Sequence, residues 1–433
     1  MFEPEIERMK REEIKKLQEE RFIRQVRYAY ENVPMYKKRF RDKGITPDDI
    51  RKLDDAHKIP FTVKDDLRDH YPYGILAAPL RDVVEMHASS GTTGIPTVVT
   101  YTEKDLKVWR RLMARTYAAA GVTSQDIVQN AYGYGLFTGG LGFHYGIQEL
   151  GAMAVPTATG NTKRQLKMMK DMKTTVLAAT PSYALYLGEA AKKEGYDPLK
   201  DFNLRIGMFG AEPWSEEARK KIQDTFGLRA HDVYGMSELY GPGVAVECEH
   251  QNGLHIWADQ FLVEVIGPET GEVLDEGKKG ELVFTMLTRE AMPLLRYRTK
   301  DLAVVTWEEC ECGRQMPRIM RIKGRADDML IVGGVNVFPS QIEHVLMNIE
   351  ELAGEFFQIV LEGEVLDRLY VKVEVEPKFF NSDRYDAARL KKKVEDELQA
   401  VLTLRARVEL LPPGTLPRTE GKAKHVVDMR HKI

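Results

Sequence analysis

Cysteine is scarce in this chain, with 3 in 433 residues, at Cys248, Cys310 and Cys312. That is too few for a disulfide framework and fits a reducing compartment. No apolar run approaches the length of a membrane span. The stretch from Met1 to Asp42 is dense in acids and bases with apolar residues at helical spacing, unlike the apolar centre of a signal peptide, so the expectation is a cytoplasmic protein with no membrane partner. Excess charge is also missing. A net charge of −3 gives no broad attraction to nucleic acid, and any anionic ligand has to be met by local donors. The composition, 43% hydrophobic and 30% charged, describes a soluble globular chain with room for two or more domains and no internal repeat.

Against that background Ser89, Ser90, Gly91, Thr92, Thr93 and Gly94 stand out, with four hydroxyls and two glycines in six residues directly after the strand-like run Val83 to Ala88. Glycines let backbone amides approach an anion, and hydroxyls add neutral donors that follow phosphate oxygens as they move. No Gly-Lys-Ser/Thr follows, and Pro96 to Tyr101 reads as a second strand, so the loop lies between strands rather than opening a helix as a Walker loop does. By itself such a cluster is as readily a solvated hairpin, and it needs partners.

Further along, charged helices up to about Ile50 precede a βαβ rhythm: a helix over Thr162 to Met172, a buried strand over Thr175 to Ala179, and a helix opened by Pro181-Ser182. Between Gln129 and Pro156 aromatics and glycines alternate, a composition suited either to an apolar cavity or to core packing. Near Lys323 the character changes to a polar, turn-prone link followed by a smaller tail of mixed helix and strand. The expected fold class is α/β, a large multi-sheet N-terminal domain (1–325) with a smaller mobile α+β C-terminal domain (326–433).

Taken in order, the Ser89 to Gly94 loop, Tyr234-Gly235-Met236-Ser237-Glu238, Tyr297 to Asp301, Gly324 to Asp328, Gly334 to Pro339 and Gly421-Lys422 make the chain resemble the adenylate-forming superfamily, most closely its phenylacetate–coenzyme A ligase family, over nearly the whole length. The resemblance implies ATP with Mg²⁺, coenzyme A as co-substrate, and activation of an aryl acid, phenylacetate first, as an acyl-adenylate that a thiol then attacks, with AMP and pyrophosphate released. A family-like homodimer is expected.

The residues suit that chemistry on their own terms. Attack on the α-phosphorus needs cradling donors, a metal to spread charge, and a cation near the attacking carboxylate. Glu238 offers a carboxylate to Mg²⁺, Ser237 a phosphate donor and Tyr234 a ring for the adenine face. Asp301 is suited to accept both ribose hydroxyls, the competing reading being an ion pair with Arg296 or Arg298. Lys422, in a Pro- and Gly-bearing loop, presents an ammonium able to bridge carboxylate and α-phosphate, with Lys424 as second candidate. The resemblance adds Glu212 and Pro213 as an adenine-adjacent turn, Arg325 towards the nucleotide, Asp327 as hinge, and Gly334, Val335 and Asn336 as the coenzyme A face. It also makes Tyr132, Tyr134, Phe137, Gly210 and Ala211 walls of the acid pocket.

The cysteines point to a second function. Cys310 and Cys312, with distant Cys248 and either His250 or His255, supply four ligands for a closed tetrahedral zinc staple, and the resemblance favours His255. The chain departs from the family at Ile95, where the phosphate loop often carries lysine, and at Lys300 and Gly333, the last often arginine. Two rival functions remain: adenylyl transfer to a deazaflavin hydroxyl, and a decayed nucleotide-binding sensor. The intact set of Glu238, Asp301 and Lys422 argues against decay, and the missing Walker lysine disfavours a kinase or NTP hydrolase.

Overall fold

The computed structural model describes residues 1–433 other than 90–95, 321, 323–329, 333–334, 363–367, 383–384, 403, 419–424 and 430–433, with backbone alone at 331, 335 and 336. Contacts gather the chain into two units. The first holds Met1–Ala179, Phe202–Ala211 and Arg229–Ile322; the second holds Thr180–Asp201, Glu212–Leu228 and Lys323–Ile433. Each has its own apolar core.

In the first unit, β1 (Val83–Ala88) and β2 (Val98–Thr102) pair antiparallel from Val83↔Thr102 to Ala88↔Val98. The two flanks of the Ser/Thr/Gly segment are thus paired strands, as the sequence predicts. Eleven further strands form one sheet: β3 (Ile127–Asn130), β4 (Met153–Val155), β5 (Val176–Ala179), β6 (Ile206–Gly210), β7 (Arg229–Met236), β8 (Gly241–Glu247), β9 (Leu254–Ile256), β10 (Phe261–Ile266), β11 (Lys279–Met286), β12 (Tyr297–Thr306) and β13 (Arg318–Ile319). Their order is β10-β11-β12-β13-β9-β8-β7-β6-β5-β3-β4. The stretch from β4 to β7 is parallel, and every pairing beyond β7 is antiparallel.

Local sequence explains these elements. Val176 to Ala179 and Ile206 to Gly210 are buried throughout, as strands covered on both faces must be. The helix Glu103–Ala119 starts at Thr102, whose hydroxyl accepts from the Asp105 N–H while the Asp105 carboxylate accepts from the Thr102 N–H, a reciprocal cap. The helix Arg11–Asn32 buries Ile14, Gln18, Phe22, Gln25, Val26 and Ala29 along one stripe. Its two glutamines donate to the carbonyls of Phe261 and Arg289, which satisfies their amides inside the core.

The second unit contains the hairpin β14 (Leu330–Val332) and β15 (Val335–Val337), then β16 (Leu352–Glu362), β17 (Arg368–Val375), β18 (Ala406–Leu411) and β19 (Val426–Asp428) in the order β18-β17-β16-β19. The helix Ala387–Leu402 buries Leu390, Val394, Leu398 and Leu402, four residues apart, and joins them to Phe357, Ile359, Val371 and Val373 of the sheet. This is the α+β tail expected from the sequence. Among the described residues no helix is long and apolar enough to cross a membrane.

Candidate active site

The first unit gathers its proposed site residues at the carboxyl ends of parallel strands, where open α/β sheets place ligands. Gly210 closes β6, the chain leaves β3 into Tyr132 and Tyr134, and β7 ends in Tyr234-Gly235-Met236, followed by Ser237 and Glu238. Two glycines are required here. A Cβ on Gly235 would lie 1.9 Å from the Gly241 carbonyl oxygen, and one on Gly210 would lie 2.2 Å from that of Val233.

Tyr234 and Asp301 come together from β7 and β12. The Tyr234 hydroxyl donates to Asp301 Oδ2 at 2.6 Å, with both residues buried. The competing reading of Asp301 as an arginine partner fails at both arginines: Arg296 forms a paired contact with Glu264, and Arg298 binds Glu281. Lys300, in the left-handed region at φ 68°, donates its N–H to Glu281 as well, and the Asp301 N–H is held by Thr299 Oγ1. The strand thereby presents Asp301 in a fixed orientation while its basic neighbours are neutralised elsewhere.

Glu238 is 5% exposed, and its Oε1 has no hydrogen-bond partner among the described residues. Among the described residues, Lys64 Nζ lies 3.7 Å from that oxygen. A buried carboxylate oxygen so poorly satisfied suits a hard divalent cation, and the Mg²⁺ reading fits the residue present. Ser237 Oγ lies 3.3 Å from Thr138 Oγ1. Sequence reasoning missed Lys64. It sits on a short helix just after Thr62, which hydrogen-bonds to the backbone of Arg296 and Arg298 at the start of β12, a long-range pairing with no local signature.

The aromatic segment divides. Tyr132 is buried and stacks on Phe143 at 4.4 Å, so it belongs to the core as well as to the strand end. The Tyr134 hydroxyl accepts from Asn130 Nδ2 at 2.8 Å and lies 3.0 Å from His144 Nδ1. Phe137 and Ala211 are exposed. Ser89 closes the mouth of the hairpin, its N–H donating to Thr97 O and its hydroxyl accepting from the Thr97 N–H. Glu212, in the second unit, accepts from the Ser182 N–H at the start of the helix Pro181–Lys193, and Pro213 follows it at the surface. Ser90, Gly91, Thr92, Thr93, Gly94, Ile95, Arg325, Asp327, Gly333, Gly334, Lys422 and Lys424 lie outside the described residues; Val335 and Asn336 contribute their backbones to β15.

The cysteines converge. Ligand atoms of Cys248, His255, Cys310 and Cys312 all lie within 4.8 Å of one another, with Cys248 Sγ 3.7 Å from Cys310 Sγ and Cys312 Sγ 3.4 Å from His255 Nε2. Of the two candidate histidines, His255 on β9 reaches the sulfurs, while His250 turns its ring to Glu311. Cys312 is held far below the usual thiol range by the Cys248 hydrogen bond, against its burial and with help from the His255 imidazole, while Cys248 is pushed up. Three sulfurs and an imidazole gathered in this way fit a closed four-ligand zinc site.

Comparison with known proteins fits this geometry. The model of AMP-binding enzymes matches residues 29–286, and that of the AMP-binding enzyme C-terminal domain matches 334–430. A phenylacetate–coenzyme A ligase of Thermus thermophilus is 47% identical over 99% of this chain and 100% of its own length. The chain belongs to the phenylacetate–coenzyme A ligase family. The Escherichia coli phenylacetate–coenzyme A ligase is 43% identical, covering 98% of this chain and 96% of its own. The crystal structure of a 2-hydroxyisobutyryl-CoA ligase in its postadenylation state superposes with TM-score 0.93 at 29% identity, covering 99% of this chain and 92% of that one. The adenylate-forming fold expected from the motifs is thus the fold observed.

Proposed function

We propose that this member of the phenylacetate–coenzyme A ligase family activates an aryl carboxylic acid, phenylacetate foremost, with ATP and transfers the acyl group to coenzyme A. The observation that carries the reading is the pairing of Tyr234 with Asp301 at the strand end that leads into Glu238, a buried carboxylate whose Oε1 is without a hydrogen-bond partner among the described residues. The near full-length similarity to phenylacetate–coenzyme A ligases supports the choice of acid.

In this reading Asp301 accepts from the ribose hydroxyls while Tyr234, bonded to it, faces the adenine. Ser89 and the hydroxyls that follow it hold the phosphates, and Ser237 donates to them. Glu238 would hold Mg²⁺, which would supply charge neutralisation at the phosphates. Lys422 neutralises the charge that accumulates as the substrate carboxylate attacks the α-phosphorus and pyrophosphate leaves. The backbone of Gly334, Val335 and Asn336 then receives the pantetheine arm, after a movement of residues 326–433 about Asp327 that withdraws Lys422. Tyr132, Tyr134, Phe137, Gly210 and Ala211 shape the acid site. The Cys248, His255, Cys310 and Cys312 cluster holds a structural zinc that ties the β8–β9 turn to the β12–β13 connection, and the protein works as a cytoplasmic homodimer.

The test is pyrophosphate and AMP formation across a panel of aryl acids, with and without coenzyme A. Phenylacetate-dependent AMP release with consumption of free thiol is the expected result. Release of ADP, or thiol-independent turnover with a deazaflavin acceptor alone, overturns it.

A further inference from the structure

His87 is 1% exposed on β1, two residues ahead of Ser89. Both of its ring nitrogens meet acceptors: Nε2 lies 2.8 Å from Glu85 Oε1, and Nδ1 lies 3.1 Å from the Leu136 carbonyl oxygen. Neither acceptor has a proton to offer. A peptide carbonyl has none, and Glu85 stays ionised because hydrogen bonds from His87 and Tyr145 outweigh the burial that opposes its charge. A neutral imidazole, with one N–H, would leave one contact as lone pair against lone pair; the imidazolium satisfies both.

These contacts join two parts of the site. The Leu136 carbonyl also accepts from the Ala88 N–H at 2.8 Å, so one oxygen binds the last residue of β1, and His87 beside it, to the residue before Phe137. Glu85 meanwhile accepts from the hydroxyl of Tyr145, on the helix Thr138–Leu150 that follows the aromatic segment. The rings of Tyr101 and Trp109 stand edge-on to His87 at 5.7 Å, and Arg110 lies over Tyr145 at 5.2 Å. Among the described residues, Glu85, Tyr145 and Tyr101, with Arg110 over Tyr145 and Arg289 over Tyr101, are titratable or charged groups around the ring.

We propose that His87, as an imidazolium paired with Glu85, is a positioning residue that fixes the spacing between the end of β1 at Ala88-Ser89 and the acid-side segment at Leu136-Phe137. The role rests on the adenylation reading above, in which Ser89 serves the phosphates and the carboxylate must reach the α-phosphorus. A displacement of about 1 Å between reacting groups costs on the order of 100-fold in rate.

Two measurements test this. In the full-length wild type, ¹⁵N spectra of labelled histidine at neutral pH should show both His87 nitrogens protonated; a singly protonated ring overturns the proposal. His87→Gln and, as a second variant, Glu85→Gln should lower phenylacetate-dependent pyrophosphate release by roughly 10- to 100-fold and raise KM for acid and ATP together, while thioesterification of supplied phenylacetyl-adenylate stays within about twofold. Equal loss in both half-reactions together with a fall in folded fraction marks a merely structural residue and refutes the role, as do unchanged KM values. If the wild type activates no aryl acid, the functional reading fails, and the nitrogen spectrum still decides the state of His87. If the variants do not fold, that spectrum alone decides.

Discussion

Replacing Asp301 by Asn tests the nucleotide site at a single charge. The carboxylate accepts from Tyr234 at 2.6 Å through Oδ2 and retains further lone pairs for the two ribose hydroxyls. An amide of the same shape keeps one acceptor and presents an NH₂ group where a hydroxyl must donate, so one charge-assisted hydrogen bond is lost. Such a bond is worth about 1.5–3 kcal/mol. At about 1.4 kcal/mol per tenfold, ATP affinity should fall by roughly 10- to 150-fold. Calorimetric titration with ATP and with 2′-deoxy-ATP forms the cycle. The wild type should discriminate between the two nucleotides, and Asp301→Asn should lose most of that discrimination. ATP binding within twofold of wild type, or undiminished discrimination against the deoxynucleotide, would refute the assignment.

The remaining predictions concern the other parts of the site. Lys422→Ala should abolish adenylation, measured by pyrophosphate exchange, yet still thioesterify supplied acyl-adenylate; normal exchange removes the lysine from its role. Metal analysis should find about one zinc per chain, as a closed four-ligand site requires, and Cys310→Ser should lower both zinc content and Tm, whereas His250→Ala leaves the zinc in place. Glu374, on β17, carries a pKa below its ordinary value because hydrogen bonds from Arg418, Gly414 and Leu416 outweigh its burial. Its contribution is present above the unfolded carboxylate value of about 4.3 and is lost as pH falls through the lower folded value. Stability followed by circular dichroism should therefore show Glu374→Gln weaker than wild type at pH 7 and losing less on acidification, so that the gap between the two closes as pH falls; an undiminished gap in acid refutes this.

Much of this was legible because local chemistry carried it. The strands around the Ser89 loop, the buried strands at Val176 and Ile206 and the helix at Pro181 follow from runs of β-branched and apolar residues punctuated by Gly and Pro. The resemblance alone favoured His255 over His250, and the structure brings His255 to the sulfurs. What stayed hidden depends on long-range register. Nothing near Lys64 announces that Thr62 pairs with the β12 backbone and so delivers an ammonium to Glu238. Tyr132 looked like a pocket wall, and it is also a stacked core ring, because aromatic–glycine alternation serves both purposes. The grouping of Thr180–Asp201 and Glu212–Leu228 with the C-terminal residues has no sequence marker either, since those helices lie within the βαβ rhythm of the first unit.

Glu374 also fixes the path of the chain after β18. Its carboxylate receives the Gly414 and Leu416 N–H groups and both terminal nitrogens of Arg418, whose guanidinium lies over the Phe356 ring. The segment from Gly414 to Arg418 is therefore bolted to an inner strand of a four-stranded sheet. Bending the chain at that point would break four hydrogen bonds at once, so Gly414 to Arg418 are held to β17 and its sheet as one body.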